Sequence, residues 1–221
     1  MFKDRKQAGE LLAKKLNKFK NKKDTIVFGI TRGGVVVADE IAGKLKLPLE
    51  IVVIKKIGAP LNPELAIGAV GPPASQARAL RAGPSKTVYW EKRLLKALLV
   101  NHDYKTEASD IKNQEREELE KYLRRGAESA EVKDKKIILV DDGVATGATV
   151  LCALKYFRNK KAAKVILAVP VIAKDTVDNI EKYFDSIIAI EIVKDLNAIG
   201  RFYQDFSQVE NKKVKAIIER Q

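Results

Sequence analysis

Residues 137–149 of this chain read IILVDDGVATGAT and combine the residue types best suited to chemistry. Four apolar residues lead into Asp141 and Asp142, and a short loop of small residues and threonines follows. The glycines and alanines would leave backbone N–H groups uncovered, while Thr146 and Thr149 add hydroxyl groups. Uncovered N–H groups at the start of a helix form a favourable site for a phosphate group. The pattern therefore predicts an anion-binding loop beside two carboxylates.

The two carboxylates need a partner other than the phosphate, because like charges repel. Ribose 5-phosphate would suit them, since it offers hydroxyl groups next to a phosphate. A Walker loop requires a lysine after its last glycine, but none follows Gly147, and the chain contains no G-x-G-x-x-G fingerprint. The alternative is that Asp141 and Asp142 only cap a helix, although a cap needs a single acid. The stretch favours a sugar phosphate as its ligand.

Apolar runs rich in β-branched residues predict the strands that would position this loop. They cover residues 25–30, 49–55, 136–141, 164–171 and 186–193, with a shorter run at 65–70. Amphipathic patterns predict helices at residues 36–45, 149–157 and 176–183. Apolar strands that alternate with helices indicate an α/β fold, a parallel sheet with helices on both faces. Asp141 and Asp142 then lie at the carboxyl end of a strand, the edge at which such sheets bind ligands.

We expect a single domain over residues 1–221, with its core at about 24–70 and 134–193. Residues 71–133 interrupt the alternation of strands and helices. They open with the turn-prone stretch GPPASQARALRAGPS and continue with a highly charged segment. This insertion is predicted to form a partly mobile lid over the sheet.

The stretch VDDGVATGAT resembles the motif with which type I phosphoribosyltransferases bind phosphoribosyl pyrophosphate (PRPP). In that family an apolar run and two acids precede a short loop that ends in T-G-x-T. The resemblance implies the type I fold, and it implies that Asp141 and Asp142 bind the ribose 2- and 3-hydroxyls. It further implies that the 5-phosphate is bound by the loop residues Gly143, Val144, Ala145, Thr146, Gly147, Ala148 and Thr149.

A second loop, within FGITRGGVVVADEIAGKL, resembles the pyrophosphate loop of the same family. Gly33 and Gly34 open the backbone between a strand and a helix, and Arg32 adds a cation whose fork geometry suits phosphate. Thr31 stands where proline is usual in the family. Lys56 resembles the family's basic residue that contacts PRPP. The alternatives are an ordinary strand–helix turn for the loop and a solvated side chain for Lys56.

Much of the chain is similar to one subset of this family, predicted phosphoribosyltransferases whose acceptor is not apparent from sequence. The similarity implies transfer of the 5-phosphoribosyl group from PRPP to a nitrogenous base or amine, with release of pyrophosphate. The implied catalytic residues are Asp141 and Asp142, which orient the ribose and favour its developing positive charge, and Arg32 and Lys56, which neutralise the leaving pyrophosphate. Mg²⁺ is the implied cofactor, held by PRPP and water, and no metal ligand is predicted in the protein.

Phe202, Tyr203 and Asp205 are the candidate residues for binding the acceptor, a small molecule such as a nucleobase. Aromatic faces can stack on a base, and a carboxylate can accept a hydrogen bond from its ring N–H. A core cluster is the alternative for these aromatic residues. The terminal segments, residues 1–23 and 194–221, are expected to form a hood on the acceptor side.

The composition limits the classes of protein that remain. No apolar run is long enough to span a membrane, the amino terminus lacks the apolar core of a secretory signal, and Cys152 is the single cysteine. We therefore expect a cytoplasmic location without a membrane partner. The formal net charge of +13 keeps a second hypothesis open, a PRPP-sensing regulator that binds nucleic acid. Solvated lysines on the surface are the alternative, and the resemblance to the family suggests a homodimer.

Overall fold

A computed structural model gives the fold and describes residues 1–73, 86–125, 129–196 and 198–221. The mobile lid predicted at 71–133 falls partly on residues 74–85 and 126–128, which lie outside the described residues. Backbone contacts divide the chain into two compact units. The first unit comprises Met1–Val52, Ala127–Gly147 and Lys161–Gln221, and the second comprises Val53–Gly126 and Ala148–Lys160.

The described residues form both strands and helices. The strands are, in chain order, β1 (Thr25–Ile30), β2 (Leu49–Val52), β3 (Lys55–Ala59), β4 (Asn62–Gly71), β5 (Thr87–Trp90), β6 (Lys136–Val140), β7 (Lys164–Ala173) and β8 (Ser186–Val193). The α-helices are α1 (Arg5–Lys15), α2 (Gly33–Leu45), α3 (Lys92–Ala97), α4 (His102–Arg124), α5 (Ala148–Asn159), α6 (Lys174–Ile180) and α7 (Asn211–Ile218). Among the helices in the described part of the chain, none is both long and apolar enough to cross a membrane.

The first unit is built on a parallel sheet with the strand order β2-β1-β6-β7-β8. Every residue of β1 is buried, as expected of a parallel strand that is covered on both faces. The connections from β1 to β2 and from β7 to β8 cross the sheet in opposite directions. Right-handed crossovers therefore place α2 and α6 on opposite faces. The prediction of an α/β fold with a parallel sheet between helices is confirmed.

The predicted strand at residues 49–55 is wrong at its carboxyl end. β2 ends at Val52, which pairs with Ile30, the last residue of β1. No further partner follows in β1 because the chain turns there into α2. The apolar run continues, but Lys55 already starts β3, which pairs with β4 in another sheet. Lys56 therefore lies within an antiparallel strand and does not end a parallel one.

The second unit contains the antiparallel sheet β3-β4-β5 together with α3, α4 and α5. Its core is formed by Ile57, Ala59, Ile67 and Val70, and side chains of β5, α3 and α4 pack against these residues. Residues 86–125 of the predicted insertion thus form a strand and two helices that pack on the hydrophobic core of the second unit.

Cys152 lies on α5 with no exposed surface, and its thiol faces the backbone oxygen of Thr87 at 3.5 Å. Burial raises the pKa of this thiol to about 12. We expect a thiol reagent at about pH 8 to spare Cys152 in the native protein and to label it in urea, because the thiolate is the reactive form. Native stability should also fall above about pH 9, where only the unfolded thiol ionises. Rapid labelling of the native protein would contradict this assignment.

Candidate active site

The strand order places the loops after β1 and β6 next to each other. These two strands are neighbours in the sheet, with Gly29 opposite Val140 near their carboxyl ends. From β1 the chain proceeds to β2 on one side, and from β6 it proceeds to β7 on the other. Such a reversal leaves a crevice at the carboxyl ends of the strands, where α/β sheets bind ligands. The predicted residues Asp141 and Asp142 therefore lie beside the predicted loop 31–34.

Gly33 and Gly34 allow the start of α2 to approach the end of β6 closely. A Cβ atom on Gly33 would lie 1.8 Å from Oδ2 of Asp142, and one on Gly34 would lie 2.7 Å from the backbone oxygen of Val140. Any larger residue at Gly33 would displace the carboxylate. The two glycines thus fix the distance between the two predicted loops.

Arg32 immediately precedes α2 and is half-buried. No acidic group in the described part of the chain forms an ion pair with its guanidinium. The N–H of Val35 donates to the backbone oxygen of Arg32 at 3.2 Å. The first N–H groups of α2 lie at the positive end of its dipole. The peptide bond between Thr31 and Arg32 is cis. This loop therefore combines an unpaired cation with a helix amino terminus, an arrangement that suits an anion.

Asp142 is held from three directions. Its backbone N–H donates to Oδ1 of Asp141 at 2.9 Å, and its backbone oxygen accepts from the Tyr203 hydroxyl at 2.6 Å. Its Oδ2 accepts from Nε of Arg5 at 2.8 Å. Burial, and next the nearby Asp142 carboxylate, raise the pKa of the Tyr203 phenol far above its ordinary value, so the hydroxyl remains a donor.

Arg5 was not among the site residues predicted from the sequence, and it is nearly buried in the site. The exposed fractions of the Arg5 and Asp142 side chains are 10% and 14%. The Arg5 guanidinium lies 3.9 Å from the centre of the Phe206 ring, and its Nη1 donates to the Ser207 backbone oxygen at 2.9 Å. The ion pair joins residues 137 positions apart, so no local pattern in the sequence could have revealed it.

The loop after Asp142 has a fixed base and an exposed tip. The N–H of Val144 donates to the oxygen of Val171 at 2.9 Å, and the Thr176 hydroxyl donates to the oxygen of Ala145. Ala145 and its neighbour Thr146 are exposed. Gly147 has φ of 82°, a left-handed conformation that favours glycine.

The remaining predicted PRPP residues belong to the second unit. Ala148 and Thr149 are the first residues of α5 and are buried. Lys56 is exposed and has no ion-pair partner among the residues that the structure describes. Its neighbour Lys55 pairs with Glu115 at 3.7 Å. Of the two adjacent lysines, Lys56 is therefore the one available to an anion.

The predicted acceptor residues occupy different environments. Tyr203 is 5% exposed and packs against Phe2 and Phe206, so its ring offers little surface to a base. Phe202 is half-buried, and Asp205 is exposed. The Ser207 N–H, which donates to Asp205, lowers the pKa of that carboxyl.

Phe2 also joins the two terminal segments of the chain. Its N–H donates to the Phe202 oxygen at 2.7 Å, and its own oxygen accepts from the N–H of Gln204 at 2.8 Å. These two hydrogen bonds form a short parallel β-bridge between Phe2 and Tyr203. The bridge places the start of α1, and with it Arg5, next to the segment that contains Tyr203. Residues from both ends of the chain thus support Asp142.

Comparisons with known proteins identify the family of the chain. The model of the phosphoribosyl transferase domain family matches residues 3–206, and the chain therefore belongs to that family. It is 33% identical over its whole length to the Mycobacterium tuberculosis proteins Rv0571c (strain H37Rv) and MT0597 (strain CDC 1551), both named provisionally as phosphoribosyl transferases. The chain spans about half, 47%, of the length of these relatives.

A solved structure also resembles the chain along its entire length. The crystal structure of TT1426 from Thermus thermophilus superposes with a TM-score of 0.77 at 32% identity. The match covers 99% of this chain and 98% of that protein. The chain therefore shares the fold of that protein.

Proposed function

We propose that this protein is a phosphoribosyltransferase that transfers the 5-phosphoribosyl group of PRPP to a nitrogenous base or another amine and releases pyrophosphate. One observation carries the proposal. A cation-bearing helix amino terminus and a pair of adjacent carboxylates meet at the strand-order reversal of the first unit. Few ligands besides PRPP carry both a diphosphate and a polyhydroxylated sugar phosphate. A homodimer and a cytoplasmic location remain predictions from the sequence.

In the proposed reaction a nitrogen atom of the acceptor forms a bond to the anomeric carbon of PRPP. The bond from that carbon to pyrophosphate breaks, the electron pair leaves with pyrophosphate, and the acceptor nitrogen loses a proton. Positive charge develops on the ribose, and the carboxylates of Asp141 and Asp142 favour it electrostatically. Arg32 and Lys56 would neutralise the leaving group, and residues 143–149 would hold the 5-phosphate.

Mg²⁺ fits this site as a partner of the substrate. Among the described residues, no group of three or more His, Cys, Asp or Glu side chains could hold a metal ion. Mg²⁺ commonly keeps several waters and binds through substrate phosphates with one or two carboxylates. Asp141 and Asp142 are the carboxylates closest to the proposed sugar, and bound Mg²⁺ would supply charge neutralisation at the pyrophosphate oxygens.

Pyrophosphate release tests the proposal directly. PRPP and Mg²⁺ are incubated with the protein and a panel of purine and pyrimidine bases, and the Asp141→Asn/Asp142→Asn double variant serves as the control. We expect release that depends on one base and falls at least about a hundredfold in the double variant. Saturable PRPP binding without release for any base would argue against a transferase that uses these acceptors.

A second candidate function, a PRPP-sensing regulator that binds nucleic acid, is favoured by the distribution of charge in the first unit. Segments 17–25, 44–48, 131–136 and 161–164 contain eleven lysines and three acids, a net charge of +8. Backbone hydrogen bonds join them, for example from Asn21 to Leu45 at 2.9 Å. They lie at the amino ends of the parallel strands, the edge opposite the candidate site. Salt-dependent binding of a short RNA or DNA, lost when these lysines become glutamates, would support this function.

A further inference from the structure

The reaction proposed above assigns no role to Arg5, although Arg5 contacts Asp142 of the candidate site. It is the first residue of α1, after Asp4, whose carboxylate accepts the N–H of Gln7 at 2.8 Å. The first turn of α1 contains no acidic residue, although a helix amino terminus favours anions over cations. Arg5 thus occupies a position that disfavours its charge. Such local conflicts are typical of functional positions.

Three contacts fix the orientation of the Arg5 guanidinium. Nε donates to Oδ2 of Asp142 at 2.8 Å, and Nη1 donates to the Ser207 oxygen at 2.9 Å. The planar group lies over the Phe206 ring, 3.9 Å from its centre. The side chain is 10% exposed. A rotation of Arg5 would break all three contacts, so its Nε is a rigid donor toward Asp142.

Arg5 in turn fixes the Asp142 carboxylate. Oδ2 is engaged by Arg5, while no described residue hydrogen-bonds to Oδ1. The backbone on either side is held by Asp141 and by the Tyr203 hydroxyl. Rotation of the carboxylate is therefore restricted, and the positive charge of Arg5 offsets the repulsion between two adjacent aspartates.

We propose that Arg5 is a positioning residue that holds Oδ2 of Asp142 and thereby presents Oδ1 to a ribose hydroxyl. The inference rests on the proposed function, because it assumes a ribose phosphate at this site. Arg5 itself need not touch the substrate. Its effect would be on recognition of the sugar hydroxyls, while recognition of the phosphate belongs to other residues.

Binding of sugar phosphates tests this role without requiring turnover. Dissociation constants are measured by calorimetry for ribose 5-phosphate and for its 2-deoxy and 3-deoxy counterparts. We expect the wild type to prefer ribose 5-phosphate by about tenfold over at least one deoxy compound, the effect of one charge-assisted hydrogen bond. The Arg5→Met variant should lose this preference. The Lys6→Met variant, which removes an exposed cation from the same helical turn, should retain it.

The outcomes separate the inference from the function on which it rests. Wild-type discrimination that persists in Arg5→Met would overturn the positioning role alone. A wild type that distinguishes neither deoxy compound would overturn both the role and the proposed sugar site. If Arg5→Met does not fold, Arg5→Lys decides, because it keeps the charge and loses the planar fork. In Arg5→Lys we expect the preference for ribose 5-phosphate over the deoxy compound to be at least about threefold smaller than in the wild type. A preference equal to that of the wild type would contradict the proposal.

Discussion

Replacing Gly33 with alanine is expected to weaken PRPP binding on the order of a hundredfold, because it displaces a carboxylate of the proposed ribose site by more than an ångström. The added Cβ would lie 1.8 Å from Oδ2 of Asp142 and 2.9 Å from Nε of Arg5. Asp142 would have to rotate away and give up its ion pair with Arg5. We expect a loss of about 1–3 kcal/mol in the free energy of unfolding from this rearrangement.

Gly43 offers a matched control on the same helix. Apart from its two chain neighbours and the nearby backbone of its own helix, a Cβ atom there would meet no atom of the described residues within 4 Å. The Gly43→Ala variant should therefore bind PRPP like the wild type, and it should be more stable by about 0.5–1 kcal/mol because glycine is unfavourable within a helix. Urea unfolding and calorimetric titration with PRPP measure both effects. Wild-type affinity in Gly33→Ala would show that Asp142 does not contribute to the binding of PRPP.

The sequence predicted most of the first unit because β1, β6 and β7 are almost completely buried. Such strands are continuous β-branched runs, and the predicted bounds 25–30 coincide with β1. The half-buried β8 also has its predicted bounds, 186–193, because its run is equally rich in β-branched residues. The same criterion failed at residues 49–55. A hydrophobic run reports burial but does not identify the pairing partner, and the chain changes sheets between Val52 and Lys55 without any interruption of the run.

The parts of the candidate site that bind through backbone N–H groups could be predicted from the sequence. Small residues at 143–149 and the glycines after β1 mark anion-binding loops through their composition alone. The contacts by which Arg5 and Tyr203 hold Asp142 could not be predicted in this way, although Tyr203 was predicted as an acceptor residue. These contacts join the two ends of the chain to its middle. A hydrophobic pattern in the neighbouring sequence does not predict contacts between residues so far apart.

The two aspartates are expected to differ when each is changed alone. Oδ1 of Asp141 accepts the N–H of Asp142 at 2.9 Å, and asparagine retains that acceptor oxygen. Asp141→Asn also leaves the ion pair between Arg5 and Asp142 intact, so it should cost less stability than Asp142→Asn. Its loss of charge should still lower kcat on the order of a hundredfold, because the carboxylate favours the cationic ribose of the transition state.

Asp142→Asn removes the anionic partner of a guanidinium that is 10% exposed. An unpaired cation in that environment is costly, so this variant should lose about 2–4 kcal/mol of stability in addition to its activity. Asp178→Asn, which removes an exposed carboxylate of the same unit, is the control and should affect neither property. Thermal unfolding and pyrophosphate release measured on all three variants give the comparison. Equal losses of stability in Asp141→Asn and Asp142→Asn would contradict the argument, because only one of the two carboxylates has Arg5 as its ion-pair partner.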